Sequence, residues 1–293
     1  MLKINTNFKK YGIPLILTPA VCLSTTLFSY LTFIPTQTFA EDATTDQRTL
    51  MNIKYMQQMS EEICTNTKEN KTKQLIDIRD GKSYWVTKLK DGNCWMTQNL
   101  AYNGGGTSRG TDCSGWLNTG TVAQYCNPGH TDGDHASRGN YYSWLAAKNG
   151  TSATGQVQGV CPNGWHLPTS KSTAKGSFGG LAAAYGAGNN SAGSTIMRGS
   201  PMYFQYSGYA NSSGIDDVGS RGWYWSSTPY GSNSAYLLYL GSSAANLSYT
   251  NARYYGISVR CLALTTTTNL SGNGNDSEEL FPDPNYPDDP DFP

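Results

Sequence analysis

The chain has 293 residues, and its 21 basic and 21 acidic side chains give a formal net charge of zero at pH 7. Charged residues make up only 14% of it, whereas glycine occurs 32 times and tyrosine 20 times. The basic residues form no stripe or patch in the sequence, which excludes nucleic-acid binding by charge. Sparse Glu and Lys with abundant Gly, Tyr, Asn and Ser predict a loop-rich, largely β domain.

The N-terminus has the layout of an export signal. Three lysines within the first ten residues precede a stretch at 11–33 without any charged residue, which is the order found in secretory signals. Small side chains at Thr38 and Ala40 occupy the positions that a signal peptidase reads, so we expect residues 1–40 to be removed. The alternative is an uncleaved anchor, because the apolar stretch is long enough to span a bilayer. Only then would the protein contact a membrane.

Export predicts that the cysteines form disulfide bonds, because oxidising compartments favour them. Of the seven cysteines, Cys22 would leave with the signal and six would remain. Six cysteines allow about 15 complete pairings, and their spacing alone does not choose among them. Zinc sites need clustered ligands such as C-x-x-C, whereas the two nearest cysteines, Cys113 and Cys126, have twelve residues between them. The sequence therefore predicts disulfides and no metal site.

Residues 41–63 form a lead-in to the domain. Their apolar side chains recur at helix-like spacing, which predicts one short helix. These side chains are Leu50, Ile53, Met56, Met59 and Ile63. The domain itself is placed at 64–264, about 200 residues, which is enough to enclose one core.

Strand signals in the domain are short and separated by turns. Asp80-Gly81 and Asp91-Gly92 are tight-turn dipeptides, so the strands around them are expected to form a meander. Two helices are predicted, at 140–150, where the pattern ends on Asn-Gly, and at 178–188. The predicted strands are 74–80, 83–89, 93–100, 202–210, 234–241 and 256–264.

The sequence closes with an acidic, proline-rich segment at 265–293. It contains seven acidic residues and no basic one, whereas residues 41–264 carry 18 basic and 14 acidic residues. Its few apolar residues cannot build a core, and its prolines oppose a sheet or helix, so we expect a disordered or extended tail. Such a tail is either a solvated terminus or an arm that binds a partner.

Five segments of the domain carry a family resemblance. They are DGNCWMTQNLAY (91–102), YYSWLAA (141–147), CPNGWHLPTS (161–170), GWYWSSTPY with SAYLLYL (222–240) and YGISVRCLAL (255–264). In this order, over about residues 75–264, they resemble the signature segments of the bacterial secreted domain named for the Fibrobacter succinogenes major paralogues. The resemblance implies an α+β fold similar to C-type lectins, in which one or two helices flank small sheets and long loops. It also implies an exported or surface protein, but no defined activity.

The segment CPNGWHLPTS is either a reactive site or a structural corner. Its two prolines restrict the backbone at both ends. Trp165 and Leu167 lie on either side of His166 in the sequence. In an extended segment this alternation directs Trp165 and Leu167 into the core and the imidazole away from it. A catalytic pair of Cys161 and His166 would need a free thiolate in an exported protein, with no orienting group nearby. We expect a structural corner and no catalytic residue.

The resemblance also implies that this corner lies beside the closing strand. Alternation along that strand puts its cysteine on the apolar face, so the cysteines of the corner and the strand are expected to pair. Proximity in the sequence then favours a pair across the glycine-rich insertion, which leaves the first two cysteines for each other. The expected pairs are Cys161–Cys261, Cys113–Cys126 and Cys64–Cys94.

A second place to look for chemistry is NPGHTDGDHASRGN, where histidines and aspartates are close in sequence. These side chains are His130, Asp132, Asp134 and His135. Asp132-Gly133-Asp134 resembles the start of a calcium loop, but the acidic residue that should follow is missing. The triplets that hold calcium and sugar in calcium-dependent lectins are absent as well. We expect a solvated, turn-rich loop, no metal and no cofactor.

Thirteen aromatic residues crowd into residues 203–255 among Ser, Asn and Gly. This composition is typical of adaptable recognition surfaces, because rigid rings give contact area and small polar groups give hydrogen bonds. The alternative is that alternate rings are core residues of packed sheets. As exposed ligand-binding rings we predict Tyr206, Tyr209, Trp223 and Tyr230.

Three classes of function remain. We expect first an exported recognition or adhesion module whose partner is a glycan or a cell-surface protein. The alternative is a structural protein of the cell envelope without a specific ligand. An enzyme ranks third, because an oxidising enzyme would need unpaired cysteines and a glycosidase would need two carboxylates about 5–10 Å apart.

Overall fold

The computed structural model describes residues 48–170 and 173–264. The signal expected at 1–40 and the tail expected at 265–293 lie outside the described residues. All described residues belong to one unit of the chain. Within these two ranges, no helix is both long and apolar enough to cross a membrane.

The fold is a mixed α/β arrangement of short elements, with two 3-10 turns at Leu50–Asn52 and Met56–Gln58. The α-helices of the described residues are α1 (Glu61–Asn66), α2 (Trp144–Ala147), α3 (Phe178–Ala184) and α4 (Ser191–Arg198). The strands are β1 (Thr72–Ile76), β2 (Ser83–Lys88), β3 (Cys94–Met96), β4 (Thr107–Ser108), β5 (Gln124–Cys126), β6 (Tyr141–Tyr142), β7 (Tyr209–Asn211), β8 (Gly214–Asp216), β9 (Gly222–Tyr230), β10 (Ser234–Leu240), β11 (Ala245–Ala252) and β12 (Leu262–Ala263).

The predicted meander is confirmed as the first sheet. β1, β2 and β3 are successive antiparallel neighbours, and β12 completes the sheet beside β3. Gly81 and Gly92 follow β1 and β2 with φ of +76° and +81°. Glycine adopts this region without the steric cost that a Cβ imposes. The two Asp-Gly dipeptides therefore set the turns of this sheet.

The second sheet, in the order β11-β10-β9, is packed on both faces. Trp225 and Leu237 point into the larger core, which also holds buried side chains of β1 and β2. Tyr224 and Leu238 point into a smaller core with the apolar side chains of α3 and α4. Successive residues of β9 and β10 are consequently buried, without the alternation of a half-exposed strand. The remaining strands form two small sheets, β4-β5-β6 and β7-β8.

The helices begin at polar caps. α2 and α3 lie in the two predicted helical regions, and the hydroxyl of Ser177 accepts from the backbone N–H of Gly180 at 2.8 Å. The sequence analysis does not predict α4, where Asn190 accepts from the N–H of Gly193 at 2.8 Å. A Cβ on Gly193 would lie 1.8 Å from the carbonyl oxygen of Gly188. This glycine is therefore needed for a close backbone approach inside a helix.

The lead-in differs from the single helix that its spacing predicts. Its apolar side chains are buried as expected, but residues 50–59 form 3-10 turns and extended backbone. The α-helix begins only at Glu61, because the hydroxyl of Ser60 accepts from the N–H of Ile63 at 3.2 Å. The indole N–H of Trp165 donates to the carbonyl of Met56 at 2.8 Å. The lead-in is thus part of the larger core rather than a segment that precedes it.

Three disulfide bonds join the described cysteines, and they form the same pairs that the sequence analysis expects. Cys161 and Cys261 tie the CPNGWHLPTS corner to the residue before β12, and His166 and Leu262 exchange backbone hydrogen bonds of 2.8 and 3.0 Å there. Trp165 and Leu167 are fully buried. The corner is structural, since its cysteine is oxidised and holds the closing strand. The other bonds are Cys64–Cys94 and Cys113–Cys126.

Candidate ligand-binding site

The four rings predicted to form a ligand face are not exposed together. Trp223 and Tyr209 are only 1% and 6% exposed, so the prediction that both are surface rings is wrong. Trp223 lies on the face of β9 that packs into the larger core, and Tyr209 packs edge-on against it with ring centroids 5.6 Å apart. Tyr206 is half-buried and Tyr230 is 39% exposed.

Tyr230 is also distant from Trp223. It ends β9 seven residues later, roughly 23 Å along a strand that rises about 3.3 Å per residue. Its ring packs edge-on against Tyr236 at 5.2 Å. Tyr206 lies at the other end of the strand, where its carbonyl accepts from the N–H of Gly219. The structure therefore separates Tyr230 from the rest of the predicted ligand face.

Beside Trp223 lies a partly exposed surface that we call the tyrosine rim, formed by Tyr239, Tyr249, Arg221 and Asp217. The rings of Tyr239 and Tyr249 stack at 5.2 Å with an interplanar angle of 29°. Trp223 meets these rings edge-on at 4.7 and 5.5 Å. A buried indole thus fixes two half-buried rings at the margin of the core.

The rim combines aromatic faces with charge. Arg221 Nη1 lies 3.2 Å from a carboxylate oxygen of Asp217, and the arginine side chain is 47% exposed. Burial raises the pKa of the Tyr239 phenol, and the charge of Arg221 opposes that shift. The phenol therefore keeps its proton at neutral pH and can donate a hydrogen bond. A Cβ on Gly241 would lie 2.6 Å from this hydroxyl, so the glycine makes room for the ring.

Sequence reasoning included Tyr239 and Tyr249 among the crowded aromatics but did not select them. The pairing of β10 with β11 is irregular here: Tyr249 lies opposite Leu237, whereas Asn246 lies opposite Tyr239. β11 therefore has one residue more than β10 between these pairs, and strict alternation along β11 assigns the wrong face on one side of this bulge. Arg221 and Asp217 were missed because their ion pair spans an irregular turn. The i,i+4 spacing of opposite charges is the one signal that could have indicated it.

The histidines and aspartates of the second candidate site do not converge. His135 Nδ1 lies 2.9 Å from the carbonyl oxygen of Thr97. His130 Nε2 lies 3.1 Å from Asp132 Oδ1, and its Nδ1 lies 3.2 Å from the hydroxyl of Ser137. Burial lowers the pKa of both imidazoles. In the described part of the chain, no three His, Cys, Asp or Glu side chains are grouped as metal ligands.

Small sheets, short helices and three disulfides define a disulfide-stapled α/β domain. The family model of the Fibrobacter succinogenes major domain (Fib_succ_major) matches residues 91–263, and the chain belongs to this family. The matched segment contains the tyrosine rim and the histidines, and it begins after β2. Neither a search of curated proteins nor a search of solved structures found a match.

Proposed function

We propose that this protein is an exported or cell-surface recognition module that binds a glycan or a surface protein through the tyrosine rim. The observation that carries the proposal is the stacked pair of Tyr239 and Tyr249, fixed against buried Trp223 and bordered by the Arg221–Asp217 ion pair. Ordered rings give contact area at little entropic cost, and the charged border supplies hydrogen bonds that fix orientation.

Three buried disulfides support export, because such bonds persist in oxidising compartments and their six cysteines are fully buried. The proposal includes a C-type-lectin-like arrangement of the domain. Small sheets, helices α2 and α3 and long loops support it, as does the disulfide that joins the corner at Cys161 to the last strand.

The test compares the full chain with Tyr239→Ala/Tyr249→Ala on a glycan array and on intact bacterial and host cells. We expect the double variant to lose at least about tenfold in affinity, since each stacked ring contributes on the order of 1 kcal/mol or more to such contacts. Tyr230→Ala is the matched control, because it removes an exposed tyrosine from the same sheet, at the end of β9 that is distant from Trp223.

Two results would oppose the proposal. Equal binding by the wild type and the double variant would show that the tyrosine rim does not bind the ligand. Absence of binding to every glycan and cell tested would favour a structural envelope protein. The double variant is expected to melt several degrees below the wild type, so circular dichroism must show that it is fully folded at the assay temperature.

A further inference from the structure

A second surface lies on the histidine loop, which we define as residues 128–138. The loop lines an open surface pocket of about 270 Å³. Its polar lining includes His130, Thr131, Asp134 and Arg138. Drug-sized ligands occupy pockets of about 300–1,000 Å³, so this one suits a ligand of a single ring.

The loop has no regular secondary structure, yet its backbone is tied down on the side of the first sheet. Two residues of β2 donate hydrogen bonds to the loop. The backbone N–H of Ser83 donates to the Asp132 side chain, and the indole N–H of Trp85 donates to the carbonyl of Gly133. The side chain of Gln98 donates to the carbonyl of Thr131 at 3.0 Å. His135 stacks on Tyr203 at 4.2 Å and on Trp85 at 5.7 Å. These ties hold the pocket walls in place before any ligand arrives, which lowers the entropic cost of binding.

The end of the loop is held by a buried relay. Asn99 donates to the carbonyl of Arg138 at 3.0 Å, and Arg260 donates to the Asn99 side-chain oxygen at 2.6 Å. Arg260 and Asn99 are both fully buried. The backbone that carries Arg138 is therefore set by the core rather than by solvent.

The charges of the pocket select a neutral ligand. Asp134 and Arg138 both line it, and no ion pair joins them among the described residues. An anion would be attracted by the Arg138 guanidinium and repelled by the Asp134 carboxylate, and a cation the reverse, so a net charge of either sign brings no net electrostatic gain. A polyhydroxylated ring can satisfy both groups, because each hydroxyl donates one hydrogen bond and accepts others. Arg138 also interacts with the phenol of Tyr141, but a guanidinium has five N–H donors, so donors remain for a ligand.

We propose that the histidine-loop pocket binds a single neutral sugar ring, with Asp134 accepting hydrogen bonds from its hydroxyls and Arg138 donating to them. This site is separate from the tyrosine rim, and its occupation does not depend on the rim. Hydrogen bonds to charged groups are roughly twice as strong as those between neutral groups, so each of the two side chains contributes to affinity.

The experiment titrates the full chain with free glucose, galactose, mannose and N-acetylglucosamine and follows binding by saturation-transfer NMR and calorimetry. We expect at least one sugar to bind, and Asp134→Asn and Arg138→Met each to weaken it by about tenfold or more. Asp112→Asn is the matched control, because Asp112 and Asp134 each accept from the N–H two residues later, at 3.1 and 2.8 Å. Amide shifts in the wild type should centre on 128–138, a readout that remains if a variant misfolds.

The wild type and the pocket variants can overturn the proposal in four ways. These are no binding of any of the four sugars, affinities of the Asp134 and Arg138 variants equal to that of Asp112→Asn, amide shifts centred elsewhere, and tighter binding of inorganic phosphate than of the sugars. Tyr239→Ala/Tyr249→Ala should bind the free sugar as the wild type does. Loss of sugar binding in that variant would show that the sugar binds at the tyrosine rim and not in the pocket. Loss of cell binding with unchanged sugar binding would bear only on the proposed function of the rim.

Discussion

The buried guanidinium of Arg260 donates a hydrogen bond of 2.6 Å to the backbone carbonyl of Tyr203, whose φ is +53°. A residue other than glycine adopts this region only at a cost in conformational free energy. In that conformation the ring of Tyr203 stacks on His135. Arg260 thus couples the core to the contact between the Tyr203 segment and the histidine loop.

Substitution of Arg260 should destabilise the fold strongly. Its other acceptors are the Asn99 side chain and the carbonyls of Met96 and Met202. Burial lowers the pKa of the guanidinium to about 10, so it remains charged at neutral pH. Both Arg260→Met and Arg260→Lys should lower the free energy of unfolding by about 3 kcal/mol or more, because several buried acceptors lose a forked donor that lysine cannot replace.

Urea unfolding measures that loss, and exposed Arg48→Lys serves as the control. NMR adds a local readout, since the ring resonances of His135 should move in both Arg260 variants. A loss below about 0.5 kcal/mol, the range of ordinary surface substitutions, would contradict the assigned role of Arg260.

Lys88 should make the domain more stable as the pH rises above 8. Its side chain is buried, and burial lowers the pKa of the ammonium group to about 8. Below that pH both the folded and unfolded chains carry the proton, so folding includes the cost of burying a charge. Above it the folded chain releases the proton, while the unfolded chain keeps it up to about pH 10.4. The free energy of unfolding therefore increases through this window.

The comparison is between the wild type and Lys88→Met in urea at pH 7 and pH 9.5. The variant should gain less stability than the wild type over this interval, because it has no buried ammonium to deprotonate. Lys90→Met, at an exposed neighbouring position, should follow the wild type. Parallel profiles for the wild type and Lys88→Met would show that Lys88 does not lose its proton in this range.

Local chemistry explains which elements the sequence could predict. The turns of the first sheet need a glycine at positive φ, and Asp-Gly dipeptides mark both of them. The extended corner at Cys161 could be predicted from its prolines and from the alternation of Trp165 and Leu167. Both signals depend only on a few neighbouring residues. Such features need no knowledge of distant parts of the chain.

Exposure of the aromatic rings could not be predicted in the same way. Trp223, Tyr224 and Trp225 are all buried, because the second sheet has a core on each face. Burial on both faces removes the period of two that distinguishes inward from outward side chains. Helix α4 could not be predicted for a related reason. Glycine disfavours helices, and the need for Gly193 becomes clear only from its close approach to Gly188 in the folded chain.

Trp223 and Tyr239 should respond differently to truncation. Trp223→Ala removes a fully buried indole and should lower the free energy of unfolding by about 3–5 kcal/mol. Tyr239→Ala removes a half-buried ring at the surface and should cost roughly 1–2 kcal/mol. Urea unfolding of the two variants checks the order. Equal losses would mean that Tyr239 belongs to the core and not to a ligand surface.

Removal of the Cys161–Cys261 bond should cost more stability than removal of Cys113–Cys126. The first bond closes a loop of 100 residues and the second a loop of 13. In the chain-entropy description, a 100-residue loop contributes about 4.7 kcal/mol and a loop of about 15 residues contributes about 3 kcal/mol. All four cysteines are fully buried, so the cost of placing serine in the core affects both pairs and leaves loop length as the main difference.

Urea unfolding of the two double serine variants measures this difference, with protease resistance as a second readout. We expect the Cys161→Ser/Cys261→Ser chain to unfold at the lower urea concentration and to be cleaved faster, because its closing strand is held to the corner only by backbone hydrogen bonds and packing. Peptide mapping of the unreduced wild type must first recover a fragment that joins Cys161 to Cys261. A fragment that joins Cys161 to another cysteine, or an equal loss of stability in both variants, would contradict the role assigned to this bond.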